Sequence, residues 1–229
     1  MAQININNKA YKIPERLTIE QYQAAMAFDW EDPKYYPMVV SQLTGAPIAQ
    51  LQAAGKEALT LAIALIVHQM NVRTKCKLAN LDDLTFGQFI DLDVWIGLGV
   101  EKHLGDMTTI LAPKAKWADE AMWAVEEFAK YRMYIFRQYQ ALFGLRDRDL
   151  EEAKLKLDDT RPDPMQVARG WYKVIVGLAN RDILNMDAVT EQPLKKALNF
   201  MALQKEEALE EQQKQLQQKR QYDLSRARR

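Results

Sequence analysis

The sequence predicts a mainly α-helical protein, a multi-helix bundle with a small N-terminal β-hairpin and a long charged C-terminal helix. Three observations predict this class. Apolar and polar residues alternate over the first thirteen positions, apolar residues recur at helical spacing from Pro33 onward, and apolar residues nearly vanish after Leu203 while strong helix formers continue. With 229 residues, 48% of them hydrophobic, the chain can bury a sizeable core without disulfides or metals.

The N-terminal residues predict a hairpin of two short strands. The Asn7-Asn8 pair tolerates the positive φ of a tight turn, and Pro14 ends the second strand. The alternating apolar positions are Ile4, Ile6, Tyr11 and Ile13. A lone hairpin is marginal in water, so this one must pack on the helices or find a third strand. Residues 72–78 (VRTKCKL) also alternate and are the candidate for that strand.

Local signals place the beginnings and ends of the helices. Thr18 with Gln21, and Thr85 with Gln88, have the spacing of capping boxes, which begin helices. The residues expected to interrupt or end helices are Gly45, Pro47, Gly97, Gly99 and Pro113.

Three further patterns refine this picture. The most apolar stretch, residues 58–67 (ALTLAIALIV), is about half the length that spans a bilayer, so we expect a helix buried on all sides. The longest continuous helical pattern runs over residues 117–143, with Gly144 as its C-cap. A turn is expected near residues 185–187.

The composition along the chain predicts three regions. Residues 1–145 form a helical core that includes the hairpin. Residues 146–164 are charge-dense and end in two prolines, which is typical of a charged linker. Residues 165–229 form a C-terminal helical region with an extended basic tail.

The residue counts exclude several kinds of site. Lys+Arg and Asp+Glu are both 31, so no global field draws the chain to nucleic acid or to an anionic membrane. Cys76 is the one cysteine, and His68 and His103 lack the spacing of zinc ligands. Phosphate-binding glycine loops and nucleophile-elbow motifs are absent from the sequence. We therefore predict no enzymatic activity, no cofactor and no metal site.

One acidic cluster offers an alternative to that prediction. It consists of Asp82, Asp83, Asp91 and Asp93, and its last two members form the DxD spacing that some sugar-nucleotide enzymes use to hold a divalent cation. DxD is too common to carry the assignment. Because carboxylates favour helix N-termini, we expect capping and surface roles.

Two segments are candidates for a partner interface. Tyr131, Arg132, Met133 and Tyr134 are of the types enriched in interfaces. The C-terminal tail is basic from residue 214 on, and its cations are Lys214, Lys219, Arg220, Arg226, Arg228 and Arg229. This tail is interpreted as a solvated helix, as an element that docks in an acidic protein groove, or as a contact to a phosphate backbone.

Three segments together resemble tailed-bacteriophage tail and baseplate-hub proteins, including tail-assembly chaperones. They are LTIEQYQ (17–23), LDDLTFGQFIDLDVWIG (81–97) and the helix-pair segment 170–207, which begins GWYKV and ends LQKEE. Proteins of this kind open with a short strand pair and close with a helix pair and a charged extension. After the second segment they continue with an aromatic-Arg-Pro stop, whereas this chain has ILAPK (110–114), which departs from the pattern.

The resemblance implies a non-enzymatic structural or assembly protein of the tail, baseplate or neck. Its partners would be other phage structural proteins in a multi-subunit assembly, without a membrane. It would act in the host cytoplasm during assembly, with the virion as a second location. Two alternatives stay open: a cytosolic adaptor or chaperone outside phages, and a DNA-contacting particle protein that uses the basic tail.

Overall fold

The computed structural model of the chain describes residues 3–6, 9–30, 32–143 and 163–227. Two strands and eleven α-helices lie in this part of the chain. They are β1 (Gln3–Ile6), β2 (Lys9–Lys12), α1 (Ile19–Met26), α2 (Tyr36–Thr44), α3 (Ile48–Ala53), α4 (Lys56–Asn71), α5 (Phe86–Leu98), α6 (Val100–Leu111), α7 (Ala118–Gln138), α8 (Gln140–Phe143), α9 (Pro164–Leu178), α10 (Met186–Thr190) and α11 (Leu194–Ala227). The predicted fold class is confirmed, with its N-terminal hairpin and its long charged C-terminal helix.

The hairpin is an antiparallel pair in which Ile4 lies opposite Tyr11. Its alternating apolar side chains Ile4, Ile6, Tyr11 and Ile13 are all buried. The Tyr11 hydroxyl donates a hydrogen bond to Gln50 Oε1 at 2.9 Å. The hairpin therefore packs on helices, as expected of two strands that are too short to be stable alone. The predicted Asn7-Asn8 turn lies outside the described residues.

The third strand predicted over residues 72–78 is wrong, because the sheet that the described residues form has two strands. The segment after α4 instead makes single backbone bonds to helix ends. The Thr74 amide donates to the Asp119 carbonyl at 3.3 Å, and the Ala79 amide donates to the Leu111 carbonyl at 2.8 Å. The alternating pattern of residues 72–78 thus belongs to a segment that bonds to helix ends and not to the edge of a strand.

The chain forms two compact units. The first comprises Met1–Leu81 and Leu92–Lys130. Its fully buried side chains include Ile13, Leu51, Ile66, Leu92, Leu104, Met107, Leu111 and Phe128. The capping box that begins α1 is confirmed: Thr18 Oγ1 accepts from the Gln21 amide at 3.1 Å, and Gln21 Oε1 accepts from the Thr18 amide at 3.0 Å.

The second unit comprises Asp82–Asp91 and Tyr131–Arg229. Its aromatic core includes Phe86, Phe89, Phe136, Phe143 and Trp171, whose rings meet edge to face at 4.8–6.2 Å. The predicted capping box of Thr85 and Gln88 is confirmed. Backbone bonds join this segment to the start of α11, since the Leu194 amide donates to the Leu84 carbonyl at 3.0 Å.

Several predicted helix limits are confirmed and three differ. The first is Gly97, which lies inside α5 and does not interrupt it. Gly45 ends α2 with φ 70°, and Gly99, with φ 112°, separates α5 from α6. The predicted turn at residues 185–187 is wrong, because the left-handed residues are Asn180 and Arg181 while residues 183–190 are helical. The long pattern over residues 117–143 is divided at Tyr139 into α7 and α8. Gly144 and residues 146–162 of the predicted linker lie outside the described residues.

Helix α4 is not buried on all sides, which corrects the expectation for residues 58–67. Ala62, Ile63 and Ile66 are buried, but Leu61 is 65% exposed and Val67 is 38% exposed. The helix therefore packs one face and leaves apolar side chains on the other. Among the described residues, no helix is both long enough and apolar enough to cross a membrane.

Candidate protein-binding site

The predicted interface segment Tyr131–Tyr134 lies on α7, where successive side chains point in different directions. Tyr134 is 48% exposed, and its ring centroid lies 6.2 Å from that of Tyr131. The Arg132 guanidinium lies 4.4 Å from the centroid of the Phe136 ring, a cation–π distance. Met133 is half-buried. Of the four residues, Tyr134 thus offers the most surface to a partner, while Tyr131 and Arg132 have contacts within the second unit.

Asp82 is the hub of a polar network at this place. The Tyr131 hydroxyl donates to Asp82 Oδ1 at 3.1 Å, and Lys195 Nζ lies 2.7 Å from the same oxygen. The bonds from Lys195 and Tyr131 lower the pKa of Asp82, and the bond to Asp82 raises the pKa of Lys195. Partial burial is the largest cause that raises the pKa of Tyr131, and the bond to Asp82 is the second. The phenol therefore stays protonated and remains a donor.

Two further contacts fasten the first turns of α11 in the second unit. The Tyr139 hydroxyl donates to Asn199 Oδ1 at 2.7 Å. Lys205 Nζ donates to the Ala141 and Leu142 carbonyls at 2.5 and 3.2 Å. A cation at a helix C-terminus satisfies carbonyls that lack an intrahelical partner and complements the dipole. Together with the Lys195–Asp82 pair, these bonds orient α11 up to the point where its exposed part begins.

From Glu206 through Gln221, α11 is exposed on every side. All residues from Glu206 through Gln221 are exposed, including the predicted interface cations Lys214, Lys219 and Arg220. Lys214 Nζ lies 3.9 Å from Glu210 Oε2, one turn earlier on the helix. The helix backbone continues to Ala227 and includes Arg226, whereas Arg228 and Arg229 lie outside the described residues. The structure therefore presents a polar helix that is anchored at one end.

An open apolar groove of about 280 Å³ lies next to the anchored end of α11. Its lining residues are Leu142, Val174, Gly177, Leu178, Met201, Gln204 and Lys205. Two large apolar side chains nearby in the sequence, Phe200 and Leu203, are 51% and 52% exposed. The base of the exposed helix thus has an open groove and two large, half-exposed apolar side chains.

The acidic cluster does not assemble as one group. Asp91 and Asp93 are two positions apart on α5 and so lie on opposite sides of the helix. Asp93 is buried, which makes the expected surface role wrong for this residue. Asp91 is exposed, yet partial desolvation raises the pKa of its carboxyl. Within the described ranges, no three His, Cys, Asp or Glu side chains are grouped so that they could hold a metal ion.

The remaining reactive side chains occupy ordinary positions in the first unit. Cys76 Sγ lies 3.6 Å from the Glu120 carbonyl, and burial raises the pKa of its thiol, which disfavours the nucleophilic thiolate. His68 is exposed in the last turn of α4. The His103 ring stacks on Trp95 with centroids 5.8 Å apart.

Sequence reasoning missed the residues that fasten α11: Asp82 as a hub, Lys195, Asn199 and Lys205. No local motif marks them, because each bonds to a residue about 50 to 110 positions away. The polar positions Lys195 and Asn199, one turn apart at the start of an otherwise apolar helix face, were the available signal.

Comparison with known proteins found no matching family model, no matching curated protein and no matching solved structure.

Proposed function

We propose that this chain is a non-enzymatic structural or assembly protein of a tailed-phage tail, baseplate or neck that acts through protein–protein contacts. The observation that carries the proposal is the exposed extension of α11 over residues 206–221, fastened at its base by Lys195, Asn199 and Lys205. The phage assignment itself rests on the sequence resemblance of residues 17–23, 81–97 and 170–207.

The anchored base makes the extension suitable for binding a partner. Beginning a helix is the costly step, and in α11 the packed turns supply that nucleus. From Lys205 to Ala227 the extension reaches about 33 Å at 1.5 Å per residue. Because its residues through Gln221 are exposed, little of its ordering free energy comes from burial within the chain. A partner protein that covers one face of this helix would supply that burial.

The placement of the reactive groups favours a binding role over catalysis. Asp91 and Asp93 lie on opposite sides of a helix and so cannot chelate one cation together. The thiol of Cys76 has a raised pKa and bonds to a backbone carbonyl. The polar network of Tyr131, Asp82 and Lys195 has the contacts of a structural fastening.

Co-expression tests the proposal. The genes that flank this chain's gene are sequenced, and the proposal expects sheath, tube or tape-measure proteins among their products. The full chain and a version truncated after Lys205 are each produced with those products, and complexes are isolated by size-exclusion chromatography. We expect a stable complex with at least one of them for the full chain and loss of that complex for the truncated chain. Thermal melting of the truncated chain is the control, since the anchored turns are retained and both units should still fold.

Two results would contradict the proposal. Absence of any complex between the full chain and the particle proteins would remove the phage role and favour an adaptor outside phages. Salt-sensitive retention of the full chain on immobilised duplex DNA, without a protein complex, would favour a DNA contact through the basic tail.

A further inference from the structure

The exposed part of α11 carries its charges in two separate blocks. The acidic block consists of Glu206, Glu207, Glu210 and Glu211, with no cation between them. The basic block consists of Lys214, Lys219 and Arg220, and residues 212–221 contain no acidic residue. All seven side chains are exposed.

The acidic block repels itself within one helix. Glu206 with Glu210, and Glu207 with Glu211, are like charges at i,i+4, which destabilises a helix by about 0.2–0.5 kcal/mol per pair. Lys214, at 3.9 Å from Glu210, offsets part of this repulsion. Lys219 and Arg220 lie two to three turns further along and are too distant to reach these carboxylates on their own helix.

Two leucines, one within each charge block, lie on one face of the helix. Leu209 and Leu216 are 49% and 52% exposed. Seven positions apart, they differ by only about 20° around the helix axis, so they lie on the same face. A partner helix laid along this face would bury both leucines and would lie beside Glu206, Glu210 and Arg220. Lys219 flanks the other edge of the face, whereas Glu207, Glu211 and Lys214 lie about 150–170° around the axis from the leucines and point away from it.

We propose that this face binds the same face of a second copy of the chain, with the two helices antiparallel. In that orientation Glu206 of each copy lies level with position 219 of the other helix and next to its Arg220, whereas a parallel pair would place like charges together. A two-fold axis near Gln212 and Gln213 also brings the leucines of the two helices opposite each other. The contact is isologous and closes on itself, as expected for a symmetric dimer.

The small number of ion pairs and leucines across this face makes the contact weak and salt-sensitive. Exposed ion pairs contribute little each and are screened by salt, and each helix offers two half-exposed leucines. Such a contact becomes effective when several copies are held close together, because the local concentration is then high. The inference rests on one part of the proposed function, that the α11 extension is a protein-binding element, and does not require the phage role.

Two charge-reversal variants test the pairing by sedimentation velocity. One carries E206K/E207K/E210K/E211K and the other carries K214E/K219E/R220E. In about 0.05 M NaCl we expect concentration-dependent dimers of the wild type, weakened at least tenfold in about 0.5 M NaCl. Each variant alone should be monomeric, because all charges of residues 206–220 then have one sign. Their equimolar mixture should form dimers again, because opposite blocks then face each other.

A matched control and a cross-linking experiment complete the test. The variant K56E/K114E/K173E changes the net charge by the same amount as K214E/K219E/R220E, at exposed positions outside α11, and it should dimerise like the wild type. With Cys76 replaced by serine, Gln213→Cys near the two-fold axis should form a disulfide-linked dimer, and Glu206→Cys should not. Cross-linking of both positions would show a parallel pair and overturn the proposal.

A wild type that stays monomeric in low salt, or a mixture of the two variants that fails to associate, would also overturn the pairing. If complexes with particle proteins still form in that case, only this inference fails. Self-association without any such complex would overturn the proposed function and leave the pairing intact.

Discussion

Arg16 and Asp119, 103 positions apart in the sequence, form a two-pronged ion pair in the first unit, with Arg16 Nη2 2.7 Å and Nε 3.1 Å from Asp119 Oδ2. Arg16 Nη2 also donates to Glu120 Oε1 at 2.9 Å, and its guanidinium lies 5.0 Å from the centroid of the Trp117 ring. The side chain of Asp119 is 7% exposed. The pair thus joins the segment after the hairpin to the first turn of α7.

Removing the charge of Asp119 should lower the stability of the first unit. Asp119→Asn removes the anion that accepts from both Nε and Nη2 of Arg16 and leaves Glu120 as its remaining anionic partner. The loss of such a part-buried charged hydrogen bond costs about 1.5–2 kcal/mol. Urea denaturation measures this loss. Lys130→Gln is the matched control, because its pair with Glu127 is at the surface and should contribute nothing measurable. Equal effects of the two substitutions would contradict this assignment.

The same pair should make stability depend on pH in acid. Burial acts to raise the pKa of Asp119, but hydrogen bonds from Thr74 and Arg16 and the charge of Arg16 outweigh it, so the pKa lies below its ordinary value. The stabilisation is therefore fully present above the unfolded pKa of about 3.9 and is lost as pH falls through the lower folded value. The stability difference between wild type and Asp119→Asn should shrink below about pH 4. Urea midpoints from neutral to acid pH measure it, and a constant difference would contradict the mechanism.

The hairpin should be required for the stability of the first unit. Deleting residues 1–13 removes Ile4, Ile6, Tyr11 and Ile13 from the core, and we expect a large loss of thermal stability. Ile13→Ala, at a position that is 2% exposed, is a graded version and should cost about 2–4 kcal/mol. Lys12→Ala, at the exposed neighbour, is the control. Unchanged melting after the deletion would show that the hairpin is dispensable.

Two glycine substitutions should change the stability of the second unit in opposite directions. A Cβ at Gly87 would lie 3.0 Å from Thr190 Cβ and 3.2 Å from the Thr190 carbonyl oxygen, so Gly87→Ala should destabilise. A Cβ at Gly170, in the middle of α9, meets no atom within 4 Å. Gly170→Ala should therefore stabilise by about 0.5–1 kcal/mol. The melting temperatures of the two variants, each compared with the wild type, test this prediction. Equal shifts of the two melting temperatures would contradict the packing of Gly87 on Thr190.

The rate of amide hydrogen exchange along α11 should rise sharply after Lys205. In the dilute monomer at high salt, amides of the anchored turns should exchange slowly and those of residues 206–221 quickly, because the latter are exposed and held only by the helix itself. In the native assembly the extension should become protected. Equal, fast exchange from about Lys214 onward in both states would mean that the tail is a solvated end.

Local sequence patterns predicted the elements whose causes are local. The capping boxes of Thr18 with Gln21 and Thr85 with Gln88 are confirmed because each needs only residues three positions apart. The left-handed end of α2 at Gly45 follows from a residue without a Cβ. The turn expected at residues 185–187 was wrong because Asn180 and Arg181 adopt positive φ without a glycine.

By itself, the sequence determined the mainly helical class, the hairpin with its buried alternate residues and the charged polar nature of the last helix, because periodicity and capping act within a few positions. The tertiary structure alone decided that residues 72–78 bond to helix ends, that α4 leaves Leu61 exposed and that Asp93 is buried. It also decided the partners of Arg16 and Asp82. Hydrogen bonds and burial between distant segments depend on how whole elements pack, and no short pattern encodes that packing.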